Sequence, residues 1–100
     1  MDPDLPDLTI ADVVLSTAGR DAGNLFYVLE ADETWLSLVN GKDRSIEKPK
    51  RKKCKHVRKV LRSETRVAEK LRAGDKVLNS ELRRDLAYLS QKMQSNNLGG

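Results

Sequence analysis

The side chains best suited to chemistry stand in one run, Lys48-Pro49-Lys50-Arg51-Lys52-Lys53-Cys54-Lys55-His56-Val57-Arg58-Lys59. From Lys42 to Arg62 there are eleven Lys/Arg against two acids, Asp43 and Glu47, a local net charge of +9. Residues 1–41 have Arg20 as their only base and eight acids, a net of −7, while residues 63–100 carry +2. The whole-chain charge of +4 therefore hides a concentrated cationic stripe. Such a stripe attracts phosphates, with lysines as point charges and Arg51 and Arg58 as bidentate donors. A nucleic acid is the polyanion it fits. Charge runs are also commonly solvated faces, and that reading stands beside the first.

Cys54 and His56 raise other chemistries. One Cys and one His do not complete a tetrahedral zinc site, and Cys54 has no second cysteine for a disulfide. Basic neighbours favour its thiolate, yet no third group accompanies it, and the carboxylates of the first half show no pairing suited to acid–base work. The expectation is a protein that is not an enzyme and takes no metal or cofactor. No apolar run approaches the ~20 residues of a membrane span, and the acidic, Pro-bearing start is unlike a signal peptide. The lone cysteine fits a reducing cytoplasm.

The elements that must position this run read as strands first and helices after. Residues 1–8, with two prolines and three aspartates, read as a flexible tail. Val13-Val14-Leu15 predicts a strand, ended by the loop Ser16–Asn24, whose Gly19 and Gly23 serve a tight turn, close approach of a ligand, or both. Leu25–Leu29 and Trp35–Val39 predict two more strands, divided by a turn at Ala31–Thr34 and stopped by Asn40-Gly41. Short strands at Ser45–Ile46 and Lys55–Val57 complete a small β-barrel, the last placing Cys54 and His56 on one face. Trp35 reads as core or barrel rim, with a stacking platform as the alternative, and Tyr27 as either surface or interior. Ser63 is placed to cap a helix that presents Val67 and Leu71 and ends at Gly74. A second helix starts at Asn79 or Ser80. Its Leu82, Leu86, Leu89 and Met93 form one apolar stripe, which packs on the barrel or, alternatively, takes a partner. The fold class is thus mainly β with C-terminal helices. The barrel spans 9–62 and the two-helix extension 63–94, with 95–100 frayed.

The run Asp12-Val13-Val14-Leu15-Ser16-Thr17-Ala18-Gly19-Arg20-Asp21-Ala22-Gly23, followed by Val39-Asn40-Gly41-Lys42-Asp43-Arg44, Lys48-Pro49-Lys50-Arg51-Lys52 and Lys55-His56-Val57, resembles the KOW-domain RNA-binding proteins of Gram-positive bacteria. These are similar to an archaeal and eukaryotic family of large-subunit ribosomal proteins that share the loop motif. The likeness covers residues 10–60. It implies an SH3-like barrel, a glycine at 23 between the first two strands, a Ser16–Asn24 loop that helps present a nucleic-acid surface, and a ribosomal or translational setting.

The expected partner is RNA, either ribosomal RNA or the ribosome, with a protein neighbour possible at the C-terminal helices. The expected interface comprises Ser16, Thr17, Gly19, Arg20, Asp21, Gly23 and Asn24 of the loop, with Lys42, Arg44, Lys48, Lys50, Arg51, Lys52, Lys53, Lys55, His56, Arg58 and Lys59 of the basic segment. Arg20 and the Lys50–Lys55 stripe would form a two-part clamp on the RNA backbone, with Asp21 orienting Arg20 or the loop. Structured RNA is read largely by shape, phosphate and 2′-OH, so few aromatics are needed. The alternatives are a protein–protein adaptor that uses the apolar stripe of the second helix, and a constitutive large-subunit ribosomal protein.

Overall fold

A computed structural model describes residues 7–99. Five strands come first, β1 (Asp12–Ser16), β2 (Leu25–Ala31), β3 (Trp35–Val39), β4 (Lys50–Lys53) and β5 (Val57–Arg62), followed by helices α1 (Arg66–Ala73) and α2 (Asn79–Gly99). The mainly-β chain with C-terminal helices is therefore observed. The strands form one antiparallel sheet in the order β4-β3-β2-β1-β5. β4 and β5 are its edges and do not pair with each other, so the sheet is not closed.

Both faces of the sheet are buried along β1 and the first part of β2, which fits the apolar residues that follow one another there. Val14, Phe26, Val28, Leu36, Leu38, Cys54 and Val57 form an inner cluster. Val13, Tyr27 and Val39 point the other way, into a second cluster completed by Val67, Ala68 and Leu71 of α1 and Leu82, Leu86 and Leu89 of α2. Bulges between Val13 and Val14 and between Val28 and Glu30 bend the strands. The bent sheet curls far enough for a 3-10 turn, Cys54–His56, to bridge it: Cys54 N donates to Thr34 O (2.8 Å) and Thr17 N to His56 O (2.9 Å).

Several expected boundaries move. Ser45–Ile46 is not a strand; the fourth strand is the basic segment Lys50–Lys53 itself. It lacks apolar residues, so hydrophobic alternation gives no signal, and backbone pairing to β3 defines it. Cys54–His56 is the 3-10 turn, not the start of a strand, and the fifth strand runs on to Arg62. Asn40-Gly41 does turn the chain, with Asn40 Oδ1 accepting from Lys42 N and Arg44 N (both 2.9 Å), but the next strand begins only at Lys50. The expected tail at 1–8 falls largely outside the described residues, and Leu8 packs on the inner cluster. Residues 95–99, expected to fray, continue α2.

Helix α1 is capped by Thr65, whose hydroxyl accepts from Ala68 N (3.3 Å), and not by Ser63; Gly74 is its C-cap. Ser63 instead belongs to a buried polar knot. Tyr27 Oη of β2 meets the Asp85 carboxylate of α2, Ser63 Oγ (2.8 Å) and Thr65 Oγ1 (3.3 Å), while Thr65 Oγ1 donates to Asp85 Oδ2 (2.9 Å). A phenol has one proton. With that proton directed to the carboxylate, the Ser63 hydroxyl donates to Tyr27. The knot pins both helices to the sheet through one side chain.

Burial, with the Asp85 carboxylate beside it, pushes the Tyr27 phenol up to about 12 from 10.0. Between those values the unfolded chain releases a proton that the folded chain keeps, so the unfolded state binds fewer protons and stability falls as pH rises. The contribution is whole below about pH 10 and lost by about pH 12, roughly 2–3 kcal/mol. Tyr27→Phe is expected to cost about 1–3 kcal/mol at neutral pH, since it leaves buried polar partners unmatched. It should also remove this part of the alkaline loss. Denaturant unfolding of both chains from neutral to alkaline pH, with tyrosinate absorbance as a second signal, measures the two effects. An equal alkaline decline in the variant would disprove the assignment.

Candidate nucleic-acid interface

Strand alternation decides what happens to the basic segment. In β4, Lys53 is in register with Trp35 and Arg51 with Ser37, on the outer face. Lys52 is in register with Leu36 and Lys50 with Leu38, toward the inner face. The expected single stripe therefore splits. Arg51 Cζ sits 4.9 Å and Lys53 Nζ 5.5 Å from the Trp35 ring centroid, both cations held against an aromatic face. Trp35 is half-buried, a rim residue whose exposed part is dressed by cations.

Lys52 is a correction to the expected interface. It is 8% exposed, and its Nζ donates to Ala18 O at 2.6 Å. Its charge serves to hold the β1–β2 loop against the edge strand and is not offered to a phosphate. Lys52→Met keeps the aliphatic stem. It is expected to leave the salt dependence of polyanion binding unchanged while amide exchange in the 18–23 loop speeds up. A fall of about one unit in the salt slope would instead make Lys52 a contact.

The loop itself is built by short-range bonds. Gly23 N donates to Ser16 O (2.8 Å), Ser16 N to Asn24 O (3.0 Å) and Asn24 N to Asp21 O (3.0 Å), and Ser16 Oγ bonds to Ala18 O (3.2 Å). Ser16 is buried, whereas Thr17, Gly19, Arg20, Gly23 and Asn24 are exposed. Asp21 departs from the expectation: it is buried and pairs with Arg44 (3.3 Å), so it ties the loop to the β3–β4 connection and does not orient Arg20. Both members of that pair are thus structural. Thr17 N to His56 O and Lys52 Nζ to Ala18 O bring the loop beside the 3-10 turn. Arg20, Lys55 and the half-buried His56 are carried by these joined segments, and Lys42 by the connection that Arg44 attaches to them.

Lys59 is a third basic residue with an internal role, after Lys52 and Arg44. Asp12, fully buried at the start of β1, lies 3.4 Å from Lys59 Nζ and accepts from Thr9 N (2.9 Å). Lys59 also donates to Asp7 O (3.3 Å). An unpaired buried carboxylate is costly, so Lys59 is engaged in neutralising one. Lys48 and Arg58 are exposed, and Lys50 is half-buried.

One basic residue beside these loops lies outside the expected set. Arg83 of α2 donates from Nη1 to Gly41 O (2.6 Å) and lines a cleft of about 500 Å³ together with Asn24 and Lys42. The helix thereby forms one wall beside the loops. The adjacent pair Arg83-Arg84 was its only sequence signal, and a helical period alone reads that pair as a solvent face.

No protein-family model matches this chain, and a comparison with curated proteins finds no match.

Burial, and next the Asp32 charge, hold the Cys54 thiol above its ordinary value, against the thiolate that its basic neighbours would favour. Cys54 is buried, with Sγ 3.6 Å from Asp32 O. Asp32 itself is held below the usual carboxylate range by the Trp35 and Thr34 amides. Among the described residues no three or more His, Cys, Asp or Glu side chains are grouped to hold a metal ion. No helix among them is long and apolar enough to cross a membrane.

Proposed function

We propose that this chain is a non-enzymatic RNA-binding protein of the KOW type, acting in the cytoplasm on ribosomal RNA or the ribosome. The observation that carries the proposal is the joining of the Ser16–Asn24 loop to the basic segment, through Thr17 N to His56 O and Lys52 Nζ to Ala18 O. Two stretches that the KOW-like motif holds apart in sequence are neighbours in the fold. Arg20, Lys42, Lys48, Lys55, Arg58 and the Trp35-borne Arg51 and Lys53 remain as cations for phosphates. The SH3-like reading of the barrel is supported by the strand order and by the 3-10 turn between β4 and β5. Backbone contacts of this kind suit a folded RNA more than a base sequence.

The adaptor reading that relied on the α2 stripe loses its main feature, because Leu82, Leu86 and Leu89 are buried against the sheet. A constitutive ribosomal protein differs from the proposal only in permanence.

Co-sedimentation of the purified chain with ribosomal subunits, at low and high salt and beside a total-RNA competitor, tests the proposal. Saturable association with one subunit that resists the competitor is expected. Binding that the competitor removes would reduce the reading to a general RNA binder, and no binding to either would overturn it.

A further inference from the structure

The surface beside the α1–α2 connection has a different character from the basic segment. A cavity of about 630 Å³ opens between the sheet and the α1–α2 connection. Its apolar floor is made by Ile10, Leu29, Ile46 and Val77, and Leu78 stands at its edge 52% exposed. Exposed Glu30, Glu47 and Asp75 rim it, with Lys76 as the basic residue among the lining side chains. Glu47 is fixed in place by Asn79 Nδ2, which donates to both its carboxylate oxygens (3.0 and 3.1 Å). The cavity continues into a second, of about 730 Å³, that shares Ile10, Leu29 and Glu30 and reaches Asp32, Trp35 and, at its far end, the cationic Arg51.

We propose that this groove is a docking site for a basic protein segment bearing aliphatic side chains. Charge complementarity decides the occupant. Three carboxylates around the apolar floor, against the single base Lys76, repel nucleic acid at this end of the groove. They also disfavour residues 1–6 of the same chain, which carry Asp2 and Asp4 and no base. A Lys- or Arg-bearing segment with a Leu or Ile anchor satisfies both features: the anchor covers Leu78 and the floor, and its cations meet Glu30, Glu47 and Asp75.

The probe is a short fluorescent peptide of alternating Leu and Lys, titrated by anisotropy against the full chain, with Ser–Lys and Leu–Glu peptides as controls. Saturable binding of the Leu–Lys peptide alone is expected. Leu78→Ser should weaken it about tenfold, the worth of burying one leucine. Glu30→Lys with Asp75→Lys should transfer preference to the Leu–Glu peptide. All three positions are exposed, so the variants should fold, and circular dichroism together with the denaturant midpoint checks this. Equal binding of the Ser–Lys peptide, or Leu–Lys affinity unaffected by the variants, overturns the proposal. So does a dimer in sedimentation that Leu78→Ser dissociates, which would make a second copy the occupant. So does Leu–Lys binding that appears only when residues 1–6 are removed.

Discussion

Changing Lys48, Arg51, Lys53 and Lys55 together to alanine is expected to weaken binding to all RNAs alike. The slope of log affinity against log salt should fall by roughly 3, about 0.7–0.9 for each of the four phosphate contacts removed. The choice of residues comes from the fold. Lys48, Arg51 and Lys55 are exposed, and Lys53 rests on Trp35. Lys52, in the middle of the same run, is omitted because its ammonium is bound to Ala18 O. A cation–π interaction such as Arg51 or Lys53 makes with Trp35 is worth about 0.5–1 kcal/mol at an exposed site, so the variant should remain folded. Filter binding or fluorescence titration across a salt series, against a structured and an unstructured RNA, gives the slopes. Loss confined to one RNA, with the slope unmoved, would mean base reading in place of phosphate contact.

Gly41→Ala is expected to be the most damaging single substitution for the fold. Gly41 has a φ of +76°, and a Cβ added there would lie 2.2 Å from Asn79 O and 3.0 Å from Leu82 Cβ. The backbone oxygen belongs to the first residue of α2 and has no freedom to withdraw. Around it, Asn79 Oδ1 accepts from Ile46 N (2.8 Å) and Arg83 Nη1 donates to Gly41 O (2.6 Å). The β3–β4 connection and the start of α2 therefore form one packed joint. Strained φ and overpacking together should cost roughly 2–5 kcal/mol, a large part of the ~5–15 kcal/mol that stabilises a domain. Gly23→Ala is the matched control: φ is +90°, but no atom lies within 4 Å of the added Cβ. It should lose only the conformational part, about 1 kcal/mol. Denaturant midpoints of the two variants separate these contributions, and equal losses would show that the contact with Asn79 is not what matters.

The joint also bears on the proposed interface. Arg83 and Lys42 line the same cleft, and Gly41 holds them together. Damage there should lower RNA affinity through displacement of the loop, so affinity changes at Gly41 are interpretable only alongside the unfolding data. At the cationic surface the opposite holds: side chains with free charge should alter affinity and salt dependence with little change in stability.

The sequence by itself determined what depends on neighbours along the chain. The apolar pairs Val13-Val14 and Phe26-Tyr27, the turn at Asn40-Gly41, the cap at Gly74 and the start of α2 at Asn79 are local signals, and the strand-then-helix order follows from them. The buried faces of both helices were legible for the same reason: Val67 and Leu71, then Leu82, Leu86 and Leu89, recur at the helical period. The charge split was legible as composition. The tertiary structure alone decided how those charges are used. Lys50–Lys53 became a strand by pairing with β3, and alternation then separated Arg51 and Lys53 from Lys52. Asp21 found Arg44 and Asp12 found Lys59, partners 23 and 47 residues away. Tyr27, Ser63, Thr65 and Asp85 met only because two helices fold back on the second strand. Periodicity reports which face of an element is apolar; it does not report which polar group will lie opposite a given side chain. That depends on the packing of elements distant in sequence, and it is what separates the cations available to a ligand from those that hold the fold.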